Sequence, residues 1–463
     1  MSLSRDFSTF VAALNYDTLP TEVIDRAKGV TLQALSSALV AHDMPASRQA
    51  LALMQEEEAG GAGIASALCS GVKLTKAGAA FVNTEMILAG GKWDTFRMLT
   101  HPGTAILPAA LVAAETTGCD GKTFLTGVTA AYEVMERMAS EFIPTVMSRG
   151  FHAGPVFGIF GAAVAAAKIQ GLNANQIHSA IAQCVNLAAG NLEGIRSGGR
   201  SLREGAAVRN ALLAVAMAKH GTPGGETTLE GEAGFYHAYT GNNRGNLRYS
   251  FTGKNQTDLE DITRNLGQEW FFLETLYRIY STAGFNIAHV DVTASLCAEH
   301  NVAYADIDRI EAVVNWFETE YPSPAFPIPG SDGKPRVGAT QYFTAYGAAT
   351  RGYPLLRGAQ PRPGEADPPE VLDLMQRVTL IPMVGRTLFG PRITIFLKNG
   401  EVRTKEGTGR EFIWDFETLV SRVRPIADGL AIPASQYEQL IDTCRHLDRV
   451  ENAARLLVAR TVP

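Results

Sequence analysis

The sequence of 463 residues carries little positive charge. Its 41 Lys and Arg residues are outnumbered by 47 Asp and Glu residues, which gives a net charge of −6. A chain without a basic excess has no general attraction for a phosphate backbone, so we expect no nucleic-acid partner. Any anion that the protein binds must therefore be held by a local cluster of cationic side chains.

Cysteine is also scarce, and no two cysteines are spaced as a CxxC pair. The five are Cys69, Cys119, Cys184, Cys297 and Cys444. Scattered thiols of odd number indicate neither a metal site nor a redox motif. Because two of them lie in apolar helical stretches, we interpret them as buried structural thiols in a reducing compartment.

Long apolar runs are missing as well. The longest, at 153–167, ends at Lys168 and is shorter than the roughly 20 residues that cross a bilayer. This run predicts a buried core helix. Because the first 20 residues lack the apolar segment of a signal peptide, we expect a cytoplasmic protein that does not enter a membrane.

Familiar catalytic motifs are absent too. The sequence has no Walker A loop, no GxGxxG after a strand, no GxSxG and no HExxH. No Cys/His cluster has the spacing of metal ligands. We therefore expect neither a metal nor an organic cofactor, and any catalysis would use ordinary side chains.

What the sequence does contain favours a mostly α fold. Hydrophobic residues make up 46% of the chain, and the length exceeds a typical domain of about 100–200 residues. Alanine-rich helical stretches fill the first 260 residues, with the capping residue Asn173 and with glycines at predicted helix C-caps. These glycines are Gly118, Gly171, Gly194 and Gly221.

The pattern changes near residue 265. Residues 307–320 have strand composition, and 391–403 predict a hairpin that turns at Asn399-Gly400. From Trp414 the chain is helical again. The simplest organisation is a large all-helical domain, 1–265 and 408–463, with a smaller α+β domain inserted at 266–407.

Polar residues precede several apolar helices. His101 comes directly before one predicted helix and His152 before another, where free main-chain amides favour bound carboxylates. Four arginines lie within fourteen residues, Arg196, Arg200, Arg203 and Arg209. Just upstream of His101 are Lys92, Asp94, Thr95 and Arg97. Together these groups could bind a small polyanion.

Structural interpretations remain open for all of these residues. Each histidine could be a helix cap or a surface residue, and the arginines could form a solvated face or a subunit interface. Tyr132 and Glu133 are interpreted as helix packing and pairing, and Trp93 indicates no role.

At these positions the chain resembles the MmgE/PrpD family, which includes 2-methylcitrate dehydratase, cis-aconitate decarboxylase and iminodisuccinate epimerase. The resemblance is carried by THPGTAILPAALVAAE, by RGFHAGPVFGIFGAAVAAAKIQGL, by SLREGAAVRNALLAVAMAKHG and by RIYSTAGFNIAHVDVTASL, and it covers most of the chain in order. It implies a helical domain with an α+β lid domain, a homodimer and a metal-free site for small polycarboxylates.

The resemblance also implies roles for individual residues. His101, His152 and Thr95 match family site positions, Asp94 keeps one aspartate of a family pair, and Tyr280 matches in the lid. Three positions depart from the family pattern. Arg200 and Arg278 each replace a lysine, and Ile287 replaces a histidine, with His289 two residues later.

These matches suggest a metal-free lyase that removes water or carbon dioxide from a small di- or tricarboxylate. In this hypothesis His101 and His152 transfer protons, Arg200 and Arg278 hold carboxylates, and Tyr280 donates a hydrogen bond. Asp94, Thr95 and His289 complete the predicted substrate site. The competing hypotheses are an epimerase or isomerase of a related dicarboxylate, and a family member that has lost catalysis.

Overall fold

The computed structural model describes residues 2–91, 93–196, 202–279, 282–326, 334–353 and 367–463. Helices dominate these residues, which confirms the mostly α fold. The helices are α1 Leu3–Ala13, α2 Thr21–Ala41, α3 Pro45–Glu57, α4 Lys76–Gly90, α5 Pro102–Thr117, α6 Gly121–Ala139, α7 Ile143–Ser148, α8 Ala153–Ile169, α9 Ala174–Leu187, α10 Leu202–Lys219, α11 Phe235–Thr240, α12 Phe285–Glu299, α13 Thr340–Thr350, α14 Pro369–Leu374, α15 Phe416–Val423, α16 Ala434–Arg445 and α17 Ala453–Ala459. The strands are β1 Ala65–Ser66, β2 Lys73–Leu74, β3 Asp94–Thr95, β4 Leu276–Tyr277, β5 Ile307–Asn315, β6 Val378–Met383, β7 Arg392–Leu397 and β8 Val402–Glu406.

Helix α8 lies at the centre of the helical bundle. Every residue from 153 to 167 is buried, which confirms the core helix predicted from this apolar run. The helix packs against α5, α6, α9 and α10. Its small residues allow close approach, since a Cβ on Gly161 would lie 2.8 Å from Ile106 Cγ1. The bundle therefore buries much of its apolar surface around α8, which is the dominant favourable contribution to folding.

Helix ends follow the predicted capping pattern with one exception. The Asn173 side chain accepts from the Gln176 amide at 3.0 Å, and Gln176 Oε1 accepts from the Asn173 amide at 3.1 Å. Left-handed backbone after a helix is confirmed at Gly118, Gly171 and Gly221. The cap predicted at Gly194 is wrong, because this residue lies inside the short 3-10 turn Glu193–Arg196 and donates its amide to Asn191 Oδ1.

A four-stranded sheet in the order β6-β5-β7-β8 lies between residues 307 and 406. Strands β7 and β8 form the predicted hairpin, and β5 occupies most of the predicted strand. That strand ends earlier than predicted, because the Asn315 side chain accepts from the Phe317 amide and caps a 3-10 turn. The sequence did not predict β6, a largely exposed strand that contains Pro382 and pairs parallel to β5.

The first residues after 265 are bound to the helical bundle. Strand β4 pairs antiparallel with β3, and the Arg137 guanidinium donates to the carbonyls of Arg264 and Glu269 at 2.6 and 2.7 Å. Residues on both sides of the predicted boundary at 265/266 therefore contact the helical bundle. The division into a helical domain and an inserted lid domain stays a prediction.

The cysteines are packing residues. Four of them are buried and Cys119 is half-buried, and none is paired in a disulfide. Burial raises the pKa of the Cys69 thiol to about 12 and that of Cys297 to about 11. Thiols held in the neutral form are poor nucleophiles, which agrees with the structural interpretation. Among the helices that the structure describes, none is long and apolar enough to cross a membrane.

Candidate active site

A tight loop between α4 and α5 brings the first candidate residues together. Strand β3 begins this loop, and the Phe96 amide then donates to the Thr100 carbonyl at 3.2 Å. Arg97 and Leu99 adopt left-handed backbone within this turn, with φ of 48° and 69°. Such conformations are costly for residues other than glycine and persist only where the surroundings impose them. The turn returns the chain to the start of α5, so His101 lies beside β3.

His101 precedes the first turn of α5, and its ring is fixed by main-chain and side-chain contacts. Its Nδ1 lies 3.0 Å from the Asp94 carbonyl oxygen and 3.2 Å from Thr95 Oγ1. The ring also packs on Trp93, with the ring centroids 4.4 Å apart. Because a carbonyl oxygen only accepts, Nδ1 carries the hydrogen and Nε2 is the basic nitrogen of the neutral ring.

The Asp94 side chain is buried beside the N-terminal turn of α5, with only 3% of the residue exposed. Its oxygens accept from the Gly103 amide at 3.1 and 3.0 Å, and Oδ2 also accepts from the Tyr132 hydroxyl. Burial raises the pKa of Asp94 to about 6, and the hydrogen bonds and Arg278 oppose part of this rise. This carboxyl therefore titrates near neutral pH, as groups at proton-transfer sites often do.

Arg278 reaches the same cluster from the end of β4. Its amide donates to the Trp93 carbonyl at 2.9 Å, and its guanidinium lies 4.7 Å from the centre of the Trp93 ring. The Gln33 amide group joins the two segments by donating to the carbonyls of Trp93 and Arg278 at 3.0 and 2.6 Å. A guanidinium, a carboxyl and an imidazole are thus assembled around Trp93.

His152 precedes α8 and has the opposite ring tautomer. Its Nδ1 accepts from the Gly154 amide at 3.1 Å. Because an amide only donates, Nδ1 carries the lone pair in this arrangement and the hydrogen is on Nε2. Glu204 Oε1 lies 3.8 Å from Nδ1, and Arg203 Nε lies 3.2 Å from the other oxygen of that carboxylate. In their neutral forms His101 therefore presents a lone pair at Nε2, and His152 presents an N–H group at Nε2.

The packing of α5 on α8 sets the ends of these helices side by side. A Cβ on Gly158 would lie 3.1 Å from Ala105 Cβ, and one on Gly161 would lie 2.8 Å from Ile106. At these contacts the later residue of α8 meets the later residue of α5. The two helices therefore run in the same direction. Their N-terminal ends, with His101 and His152, lie at the same end of the bundle.

Other predicted residues are placed elsewhere or are not described. His289 is fully buried, with Nδ1 2.9 Å from Thr344 Oγ1 and Nε2 3.2 Å from Glu318 Oε2. A substrate could bind its ring only if one of these contacts broke, and its binding role stays a prediction. Ile287, on the same helix, is buried. Three residues lie outside the described part of the chain, namely Arg200, Tyr280 and Lys92.

The predicted arginine cluster is described only in part. The Arg203 side chain lies beside Glu204, close to His152, whereas the Arg209 guanidinium lies 5.9 Å from the Phe81 ring. The binding role of the arginine cluster therefore stays a prediction.

Sequence reasoning missed two residues of this cluster. Glu133 pairs with Arg137 as expected, but the neighbouring Tyr132 binds Asp94, and Trp93 contacts both His101 and Arg278. The available signal for Tyr132 was chemical: a tyrosine in a buried helix needs a partner for its hydroxyl. Within the described residues, no group of three or more His, Cys, Asp or Glu side chains is arranged to hold a metal ion.

Comparison with known proteins gives consistent matches. The family model of the MmgE/PrpD N-terminal domain matches residues 5–247. The chain is 24% identical over 484 residues to cis-aconitate decarboxylase of Aspergillus terreus, a match that covers 100% of this chain and 96% of that protein. It is 26% identical over 298 residues to a cis-aconitate decarboxylase-like protein of Aspergillus oryzae, covering 61% of this chain and 59% of the relative. It is 28% identical over 243 residues to cis-aconitate decarboxylase of Homo sapiens, covering 50% of each.

Proposed function

Because the chain belongs to the MmgE/PrpD family, we propose that it is a lyase acting on a small di- or tricarboxylate of the cis-aconitate or 2-methylcitrate type, without a metal. The observation that carries this proposal is the cluster around Trp93, where His101, Asp94 and Arg278 meet. The names of the relatives, cis-aconitate decarboxylases of fungi and human, support the same substrate class.

Cationic groups would hold the carboxylates of the substrate. Arg278 is a planar donor suited to bidentate contact with a carboxylate, and Arg200 is the second predicted clamp. The helix dipoles of α5 and α8 add positive potential at the same end of the bundle, although the Gly103 and Gly154 amides already donate to Asp94 and His152. Tyr280 would donate a further hydrogen bond. These local positive groups would attract an anionic substrate, which the net charge of −6 does not.

The two histidines would divide the proton transfers. In dehydration, His101 Nε2 removes a proton from a carbon next to a carboxylate, and the leaving hydroxyl takes a proton from His152 Nε2. For this step His152 must be an imidazolium, with a second proton on Nδ1 that faces Glu204 in place of the contact with the Gly154 amide. In decarboxylation, the bond to one carboxylate breaks and carbon dioxide leaves. The electrons of that bond form a new double bond to the neighbouring carbon, the original double bond opens towards its far carbon, and the imidazolium form of His152 protonates that carbon. In both reactions the arginines stabilise the negative charge that develops on the substrate.

An epimerase is the second candidate function, and the observation that favours it is the opposite tautomers of the two histidines. One imidazole would remove a proton from a stereogenic carbon, and the other would return a proton to the opposite face. This reaction needs a nitrogen with a lone pair, which His101 Nε2 presents, and a proton donor, which His152 would supply as an imidazolium.

Proton NMR in heavy water separates these possibilities. The purified protein would be incubated with cis-aconitate, 2-methylcitrate, tartrate and iminodisuccinate, each with a His101→Ala control. A new alkene signal, with or without released carbon dioxide, supports the lyase. Exchange of the α-proton without loss of mass supports the epimerase, and no change with any of the four acids would contradict both.

A homodimer is the expected assembly, and α10 offers a face for it. Three large apolar side chains on one side of this helix are 46% to 54% exposed, namely Leu202, Leu213 and Met217. An exposed apolar stripe of this kind is typical of a subunit contact. Light scattering on wild type and Leu213→Glu tests the assignment: the variant should be monomeric, and an unchanged mass would place the contact elsewhere.

A further inference from the structure

Tyr132 is the side chain that ties the candidate site to α6. The residue is fully buried, and its hydroxyl donates a hydrogen bond to Asp94 Oδ2. The space around this bond is limited, because a Cβ on Gly103 would lie 2.7 Å from the Tyr132 oxygen and 2.9 Å from Asp94 Oδ2. The hydroxyl, the carboxyl and the first turn of α5 therefore form one closely packed unit.

A second buried acid lies one helical turn beyond Tyr132. Glu136 is fully buried, Oε1 accepts from Thr275 Oγ1, and Oε2 has no hydrogen-bond partner within the described part of the chain. An ionised carboxylate without a cationic partner is very costly in such a place, so Glu136 is neutral. Burial and neighbouring acids raise its pKa well above the ordinary value, in agreement with that conclusion. Of these two neighbouring acids, Asp94 is therefore the one that ionises near neutral pH.

We propose that Tyr132 is a positioning residue for the proposed reaction, which fixes the Asp94 carboxylate, and with it the main-chain carbonyl that orients His101. The two links are the hydroxyl bond to Oδ2 and the contact between the Asp94 carbonyl and His101 Nδ1. Without the hydroxyl, Asp94 would keep only main-chain amides, those of Gly103 and of Asp94 itself, as neutral donors. Its ionised form would then be less stable, and both the carboxylate and the loop would be less constrained.

Several charged or titratable groups face Asp94 and must be considered with Tyr132. They are Glu136 on α6, Tyr277 and Arg278 at β4, and His101 on its own loop. Arg278 favours the ionised form of Asp94 through its charge. The test must therefore separate loss of the Tyr132 hydroxyl from a general change in packing or charge.

A double-mutant cycle on thermal stability provides this test without any substrate. Melting temperatures of wild type, Tyr132→Phe, Asp94→Asn and the double variant would be measured from pH 5 to pH 8. Tyr132→Phe should be less stable than wild type at pH 8, and the difference should shrink by pH 5, where Asp94 is neutral. In the Asp94→Asn background the effect of Tyr132→Phe should not depend on pH.

Two matched variants serve as controls. Tyr236→Phe removes another fully buried hydroxyl, which donates to the neutral Met138 carbonyl at 3.0 Å, so its effect should be the same at every pH. Glu136→Gln mimics the neutral acid and should leave the pH dependence of wild type unchanged. If Tyr132→Phe behaves like Tyr236→Phe, or if its pH dependence persists with Asn at position 94, the hydroxyl does not act on Asp94 and the proposal is wrong.

The catalytic part of the proposal rests on the proposed function. With a substrate in hand, the acid limb of kcat/KM should move up by about one pH unit in Tyr132→Phe and stay in place in Tyr236→Phe. An unmoved limb would overturn the positioning role. If no substrate is turned over, the proposed function fails, whereas the stability cycle still decides whether Tyr132 controls Asp94.

Discussion

Replacing Asp94 by Asn should make the protein more stable at neutral pH. The pKa of Asp94 is about 6 in the folded protein and 3.8 ordinarily. A carboxyl whose pKa is raised on folding destabilises the fold above that pKa, and the penalty disappears as the pH falls towards the ordinary value. Linkage gives a penalty of about 3 kcal/mol at pH 7 that falls to roughly half at pH 5 and to well under 1 kcal/mol at pH 4.

An amide at this position avoids the penalty and keeps the contacts. Its oxygen can accept from the Gly103 amide, and its NH2 group can donate to the Tyr132 oxygen, which accepts as well as donates. Unfolding entropy of roughly 2.1 cal/mol/K per residue makes 1 kcal/mol worth about 1 °C for 463 residues that unfold together. We therefore expect a melting temperature about 3 °C above wild type at pH 7.

Calorimetry of Asp94→Asn and wild type at pH 7, 5 and 4 measures this effect. Asp43→Asn is the matched control, because that side chain is 73% exposed and its replacement should change little at any pH. The gain from Asp94→Asn should decline as the pH falls. A variant less stable than wild type at pH 7, or a gain that is equal at pH 4 and pH 7, would refute the reasoning about the buried carboxylate.

Three further predictions concern catalysis. His101→Ala and His152→Ala should each abolish turnover with little change in melting temperature, and a large fall would instead indicate a packing role for the ring that was removed. Arg278→Gln should raise KM at least tenfold for a tricarboxylate and much less for a monocarboxylate analogue, as measured by initial rates; equal effects would remove Arg278 from the clamp. Prolonged dialysis against a chelator should leave turnover unchanged, and activity restored only by added metal would overturn the metal-free assignment.

The sequence predicted the elements that are defined by local chemistry. The run at 153–167 is apolar on every face, so it could only be a buried helix, and Asn173 with Gln176 specified a helix start. Strand β6 was missed because most of its side chains are exposed and the alternation that marks a strand is weak. Its place in the sheet depends on pairing with β5, which is a long-range contact.

In the candidate site, too, residues could be recognised where the neighbouring sequence marks them, and not where their partner is distant in sequence. His101 and His152 could be recognised because each directly precedes an apolar helix. Arg278 was found only through a family resemblance, since nothing around it in the sequence relates it to Trp93. Tyr132 was missed because its partner, Asp94, lies on another element, and a tyrosine in a helix is ordinarily a packing residue.

Because β3 pairs with β4, the candidate site is completed only late in the synthesis of the chain. A ribosome delivers the loop with Asp94 and His101 long before it delivers Arg278, and domains generally begin to fold during synthesis, N-terminal part first. Until β4 emerges, the Trp93 carbonyl lacks the Arg278 amide and the Asp94 carboxyl lacks the nearby guanidinium. The nascent helical bundle is thus expected to hold the proposed proton-transfer residues in an incomplete site until the later segment has been made.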